Sequence, residues 1–392
     1  MTRRTVRLVE RRTRQVELPR AEVDFLLAHA RHVIDVQPGS AGAYRLTPRG
    51  FVGFLDGPGV RFDIRPKLPW PNLLMILGLD AAAPSGGAAI DPSAELLTVL
   101  TRELAARLDA LGRGGFVGGY RDEDRESPFL RGRLRTADHL RDAAARAFPD
   151  HFHVTESVFD LDTPWNRIPK AVAAALLARP DVHASARAAL AAAVRPLEAV
   201  SAGPLTDADF DAAAREPRAA GYNATLALCR LIRDGLNPAA PLEPGRGAFL
   251  LDLGRAFEEY LTATLADHLG NRSGWTVEPQ ARFVLGSVRG EAVVLQPDVV
   301  VRRGPAVRMV LDAKWKRPGP DAADLHQILA YAAVAGAARA ALVYPGRRSA
   351  RHDLTAGGVR VSLVQLQVAG PVEECREAAA RLARFVRRSP RA

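Results

Sequence analysis

The sequence has 392 residues, a formal net charge of +10 at neutral pH, 47% hydrophobic and 25% charged residues. That length exceeds what one hydrophobic core comfortably holds, so two or three domains are expected, and the composition excludes a disordered or fibrous chain. Two isolated cysteines, Cys229 and Cys375, exclude a disulfide scaffold. The basic N-terminus runs into Val6-Arg7-Leu8-Val9-Glu10 rather than an apolar stretch, so neither a signal peptide nor a membrane span is expected, and the protein reads as soluble and cytoplasmic.

Taken in chain order, the first stretch reads as β-rich: Thr5–Val9, Arg14–Leu18, Ala43–Leu46, Phe51–Leu55 and Val60–Ile64 are short, partly alternating and punctuated by glycine and proline. A helix over Arg20–Ala30 interrupts them, and a short apolar helix near Asn72–Leu79 follows Ile64-Arg65-Pro66-Lys67. Ala81–Pro92 reads as a connection. Helical spacing then predicts helices over Ser93–Leu111, Thr136–Ala147, Asn166–Leu177, Ala184–Val194 and Tyr222–Leu236. Asn237–Gly247, with three prolines and two glycines, reads as an interdomain linker.

Beyond it, Leu253, Phe257, Tyr260, Leu261 and Leu265 space an amphipathic helix over Leu251–Leu269. Ala281–Val288, Ala292–Arg302 and Val307–Trp315 are expected as an antiparallel meander, then a helix over Asp321–Ala335, strands at Ala340–Tyr344 and Val359–Val368, and a closing helix over Val372–Val386. The expected fold is a multi-domain α/β chain: a β-rich block over 1–92, a mainly helical middle over 93–240, and an α/β domain with a mixed sheet over 248–392.

The positive charge would suit a phosphate-bearing partner. Of the 54 basic residues, however, only Lys67, Lys170, Lys314 and Lys316 are lysine. In a chain that uses arginine by default, a lysine marks a place for a compact ammonium on a flexible stem.

Lys314 has company. Asp298 follows Pro297, and Asp312 stands two residues before Lys314. Alternation along a strand projects Asp312 and Lys314 from one face, and a neighbouring strand can set Asp298 beside them. Two carboxylates and an ammonium suit phosphodiester hydrolysis: hard oxygens bind Mg²⁺ or Mn²⁺ while leaving coordination sites for water and phosphate. Glu258, beside the apolar stripe of its helix, is a further candidate metal ligand. Gln327 and Tyr331, four apart on the following helix, share a face from which they could hydrogen-bond to the lysine, the attacking water or the DNA backbone. An isolated Asp-x-Lys is common by chance; here strand order, the upstream Pro-Asp, the downstream Gln and Tyr and the rarity of lysine coincide. His151-Phe152-His153 lacks a third ligand at useful spacing. Gly112–Gly119 lacks the lysine of a phosphate loop, so any nucleotide hydrolysis would belong to a partner.

Pro297-Asp298 with Asp312-x-Lys314 resembles the signature of the PD-(D/E)XK nucleases. The likeness extends to Phe51-Val52-Gly53, Ile64 to Leu68, Gly119-Tyr120, Gly132-Arg133-Leu134, Asp162-Thr163-Pro164-Trp165-Asn166-Arg167-Ile168, Leu311 to Lys316 and Asp324 to Tyr331. In order along nearly the whole chain these are similar to the McrC component of McrBC-type restriction systems, with Trp315 where that family often has tyrosine. The resemblance implies a restriction-endonuclease-like C-terminal domain with Asp298, Asp312, Lys314, Gln327 and Tyr331 in the catalytic site. It also implies double-stranded DNA carrying modified cytosine as substrate, and a separate AAA+ GTPase resembling McrB, engaged by the N-terminal block around Lys67 and stimulated by it. Two competing readings are a catalytically silent DNA-binding adaptor and a stand-alone recombination or repair nuclease.

Overall fold

Short alternating strands dominate the first 65 residues because their apolar side chains fall at every second position. In β1 (Arg4–Val9), Val6 and Leu8 are buried while Thr5 and Arg7 are exposed. β2 (Arg14–Val16) precedes α1 (Arg20–His29), and β3 (Ile34–Pro38), β4 (Tyr44–Pro48), β5 (Phe51–Asp56), β6 (Val60–Arg65) and α2 (Trp70–Ile76) follow. β2, β4 and β3 make a three-stranded antiparallel sheet. β1 lies parallel to β6, which pairs antiparallel with β5. The computed structural model describes residues 4–79, 95–145, 151–236, 247–270, 274–319 and 321–388; the connections expected at Ala81–Pro92 and, Gly247 excepted, at Asn237–Gly247 lie outside them.

The middle of the chain contains α3 (Leu96–Gly114), β7 (Gly119–Ser127), β8 (Arg133–Leu134), α4 (Thr136–Ala145), β9 (Phe152–Asp160), α5 (Pro164–Leu177), α6 (Ala184–Val194), α7 (Asp207–Ala214) and α8 (Asn223–Leu236). The expected helices are present. The sheet β7-β9-β8 was not anticipated, because β7 reads Gly-Tyr-Arg-Asp-Glu-Asp-Arg-Glu-Ser and is mostly exposed, leaving no apolar alternation to detect. The stretch Asp162 to Ile168 is used as a clamp. Fully buried Asn166 donates to the carbonyls of Val117 (3.0 Å) and Leu161 (2.9 Å) and accepts from the Tyr222 hydroxyl (2.9 Å), while Trp165 donates to Val117 O at 2.8 Å. Asp162 takes a bidentate bond from Arg167 and two more bonds from Ser201, which hold its carboxyl well below the usual range.

The last part contains β10 (Ala248–Asp252), α9 (Leu253–Leu269), β11 (Trp275–Pro279), β12 (Phe283–Val288), β13 (Glu291–Leu295), β14 (Val299–Arg303), β15 (Ala306–Ala313), α10 (Ala322–Ala335), β16 (Arg339–Gly346), β17 (Ala350–Ala356), β18 (Val359–Gln367) and α11 (Val372–Arg387). Six of these strands form one mixed sheet in the order β11-β14-β15-β16-β18-β17, with β15, β16 and β18 parallel. The expected three-strand meander is corrected on one point. The run Ala292–Arg302 breaks at Gln296-Pro297-Asp298, so its first half pairs with β12 as a separate hairpin and its second half enters the sheet. Pro297 has no N–H to continue a ladder.

By compactness the chain divides in two: its two ends, up to Leu79 and from Asp234 on, form one unit, and Leu97–Arg233 the other. The packing thus joins the first stretch of the chain with the last in one unit. β10 pairs with β5, completing the sheet β1-β6-β5-β10, and Leu250 enters the core of Leu8, Leu26, Leu46, Phe62 and Ile64. Gly53 is required there. It has φ +121°, opposite Leu250, and a Cβ would stand 2.0 Å from the Phe249 carbonyl oxygen. Gly53→Ala is expected to cost on the order of 3 kcal/mol in calorimetric unfolding, against about 1 for Gly42→Ala, whose φ of +74° lies near the left-handed region and whose surroundings are open. Equal costs would show that β10 yields freely.

Candidate active site

The site begins with register. β14 and β15 run antiparallel with Val299 opposite Leu311, so one step further sets Asp298 opposite Asp312. Directly opposed residues share a face of the sheet. The Ala313 N–H donates to Asp298 Oδ2 at 2.7 Å, fixing that carboxyl against the end of β15. Asp312 is 2% exposed, and Lys314 Nζ stands 2.6 Å from its Oδ2. Although β15 ends at Ala313, the Lys314 N–H still bonds the Val343 carbonyl of the parallel neighbour at 2.8 Å. The lysine therefore keeps the alternation that places it on the face of Asp312.

Helix α10 covers this end of the sheet. Asp321 caps it, accepting from the N–H groups of Ala323 (3.0 Å) and Asp324 (3.4 Å). Spacings of three and seven residues from Asp324 bring Gln327 and Tyr331 to the same face. Gln327 Oε1 accepts from Lys314 Nζ at 2.9 Å, and its amide donates to the Tyr331 hydroxyl at 2.7 Å. Glu258 on α9 takes a hydrogen bond from Gln280 Nε2. All six residues singled out in the sequence thus belong to one electrostatic neighbourhood.

Its charges are strained by burial. Burial first, and then the adjacent Asp312 charge, push the Asp298 carboxyl up to about 7, against the opposing Ala313 N–H. Asp312 is also raised: a salt bridge alone would lower it, but burial outweighs Lys314. Burial acts to lower Lys314, and the Asp312, Asp324 and Asp298 carboxylates together overcome it and raise the ammonium. Glu258 is raised by burial first, with Glu259 and Asp312 adding and Gln280 opposing.

Several participants carried no assigned role in the sequence. Gln280 sits at φ +51°, donates its N–H to Asp298 O (3.0 Å) and accepts from Gln296 Nε2 (3.0 Å), so it ties α9 to the segment of Asp298. No sequence signal marks it. Asp324 is buried, binds Lys316 Nζ at 2.7 Å and accepts from Tyr344 OH at 3.2 Å. Its spacing to Gln327 and Tyr331 was a readable signal.

The donor set has the chemistry of a hard divalent cation: two opposed carboxylates at one end of a sheet, both raised by burial first, with the Asp312 charge adding on Asp298 and the Asp324 charge on Asp312. Among the described residues no group of three or more His, Cys, Asp or Glu side chains converges as a metal cage. A cation held by one or two carboxylates, with water and phosphate oxygens completing its shell, is the ordinary arrangement for Mg²⁺, so the residues fit it.

The fold and these residues define a two-unit α/β protein whose acidic and lysine side chains meet at one end of a mixed sheet. The family of McrBC 5-methylcytosine restriction system components matches residues 46–345, and the chain belongs to that family. Among solved structures, similarity extends to a chain of the refined half-complex from the tetradecameric assembly of Thermococcus gammatolerans McrB AAA+ hexamers with bound McrC. The TM-score is 0.62 at 17% identity, covering 97% of this chain and 100% of that one. The cryo-EM structure of the Thermococcus gammatolerans McrBC complex matches at TM-score 0.48 and 17% identity, over 67% of this chain and 88% of that one. At such identity the first likeness speaks for the fold alone. No curated protein matches. Among the described residues, no helix is long and apolar enough to cross a membrane.

The raised Asp298 carboxyl has a measurable consequence. A carboxyl that titrates at 3.8 unfolded and near 7 folded binds its proton more tightly in the folded state. Stability is therefore fullest below the unfolded value and falls as pH rises from about 4 to about 7. Asp298→Asn removes that loss while keeping an acceptor for Ala313 N–H. In EDTA the variant should melt about 2–4 °C above wild type at pH 8 and converge with it near pH 4. A difference independent of pH would show that the carboxyl is not under this stress.

Proposed function

We propose that this chain is the DNA-cleaving subunit of a McrBC-type restriction system, a PD-(D/E)XK endonuclease acting with a separate AAA+ GTPase resembling McrB on double-stranded DNA that carries modified cytosine. The observation that carries the reading is the opposition of Asp298 and Asp312 with Lys314 Nζ on the second carboxylate. Family membership supports the restriction setting.

In this reading Asp298 and Asp312 hold Mg²⁺ or Mn²⁺, with Glu258 as a further carboxylate. The bound cation would acidify water and offset charge growing on phosphorus. The chain's own groups supply position and charge. Lys314, anchored between Asp312 and Gln327 and kept protonated by the surrounding carboxylates, presents a cation to the scissile phosphate rather than a base to the water. Gln327 sets the direction of that ammonium, and Tyr331 fixes the Gln327 amide, leaving its carbonyl oxygen for the lysine. The N-terminal strands around Lys67 are the proposed surface for the motor and for stimulating its GTP hydrolysis. Burial lowers the Lys67 ammonium, with Glu10 opposing.

The test is cleavage of methylated and unmethylated circular DNA by the subunit with its co-purified GTPase, Mg²⁺ and GTP. Asp312→Ala should reduce cleavage of the methylated circle by about 1,000-fold or more, the scale of several kcal/mol of transition-state charge stabilisation, while GTP hydrolysis persists. Undiminished cleavage would remove the catalytic assignment and favour a silent adaptor. Cleavage of free ends by the isolated subunit, without nucleotide or methylation, would favour a repair nuclease.

A further inference from the structure

We propose that Glu10, at the end of β1, is a positioning residue of the nuclease site and acts through Trp315. The inference rests on reading the site as a nuclease. Glu10 is 1% exposed, an unusual place for a carboxylate unless each oxygen is used. Oε1 accepts the Lys67 backbone N–H at 3.2 Å and Oε2 accepts the Trp315 indole N–H at 2.8 Å. The second bond spans 305 positions of sequence.

Trp315 stands between the two lysines of the site. Lys314 meets Asp312 and Gln327, and Lys316 meets Asp321 and Asp324. After Ala313 the chain leaves the regular ladder. Among the described residues and outside the regular strands and helices, the backbone N–H groups of this short turn make two bonds to backbone, Lys314 N–H to Val343 O and Lys316 N–H to Lys314 O. With so little backbone restraint, side chains must set its path. Trp315 supplies that restraint on the side of the N-terminal sheet: its ring lies 5.4 Å from that of Phe257, the neighbour of Glu258, and it is 8% exposed. Gly50 and Gly254 line the same place, and a Cβ on either would meet the Trp315 side chain at 3.5 and 4.0 Å. Gly50 O also accepts the Leu253 N–H at 2.8 Å. The indole is seated by packing; its remaining freedom, rotation and sliding in the plane of the ring, is removed by the single charged acceptor.

The geometry therefore assigns Glu10 a role in holding Lys314 at bonding distance from Asp312 and Gln327. Loss of the bond would let the Lys314–Lys316 segment shift, and displacements of about 1 Å at a reacting group cost up to roughly 100-fold in rate. Lys314 acts in this reading on the scissile phosphate as charge grows there, so the effect is expected in kcat rather than KM.

The experiment uses the full chain with its GTPase and pairs kinetics with hydrogen exchange in the absence of DNA and metal. Trp315→Phe keeps the ring against Phe257 and removes only the donor. Expected are a tenfold or greater fall in kcat on methylated circles with KM for DNA within twofold, and faster exchange at the Lys314 and Lys316 amides. Glu10→Ala should behave alike, and the two together should lose little more than either alone, as one shared interaction requires. Glu10→Gln, which retains an oxygen for the indole, should restore most of the rate. The proposal is overturned if folded Trp315→Phe or Glu10→Ala keeps wild-type kcat, or if the two single losses multiply. If the wild type itself fails to cleave, the nuclease reading falls, and unchanged exchange at Lys314 and Lys316 in Trp315→Phe still decides against the positioning role. Should Trp315→Phe not fold, the comparison of Glu10→Ala with Glu10→Gln carries the same decision.

Discussion

Two carboxylates that face each other, Asp312 buried and Asp298 half-buried, are the constraint around which this end of the protein is organised. Antiparallel pairing of β14 on β15 sets Asp298 against Asp312, and like charges at that spacing in a partly dry environment repel. Each neighbouring feature moderates that repulsion: the Ala313 N–H on Asp298, the ammonium on Asp312, and the Gln327 oxygen that holds the ammonium from the other side. A protein selected for stability alone would replace such a group with apolar side chains. Its retention is intelligible where the charges meet a cation or a phosphate.

Topology makes the site possible at this end of the sheet and at no other. β15 and β16 are parallel, so the chain must cross over between them, and α10 is that crossover. Its first turns therefore lie by the C-terminal end of β15, where Lys314 leaves the ladder; Asp324 and Gln327 reach the lysines from there, and Tyr331 accepts from the Gln327 amide. Because β14 runs the opposite way, its N-terminal end, with Asp298, arrives at the same place. Ligands in open α/β sheets collect at such ends for the same reason.

A second constraint ties the two ends of the chain. The sheet β1-β6-β5 is completed by β10, which immediately precedes the helix of Glu258. Gly53 lets β10 approach, Asn72 binds Gly370 O and Cys375 Sγ, and Glu10 binds Trp315. The N-terminal strands and the acidic site therefore share one packed body, and a strain in one has a short mechanical path to the other.

Chemistry-bearing residues were legible in the sequence because their signals are local. Alternation puts Asp312 and Lys314 on one face, a helical turn aligns Gln327 with Tyr331, and scarcity of lysine draws the eye to Lys314 and Lys316. What no local pattern contained was pairing between distant segments. The break of Ala292–Arg302 into two sheets, the mostly exposed strand β7 with no apolar alternation, the return of β10 to the first sheet and the bonds made by Glu10 and Gln280 all depend on which backbone edges meet, and that is settled by burial and hydrogen bonding across the whole chain. Residue types and their short-range spacing were thus determined by the sequence itself. The distances at which their charges act, and hence the raised Asp298 carboxyl and the anchored Lys314, were decided only by the tertiary structure, since dielectric surroundings and strand register are properties of the packed molecule.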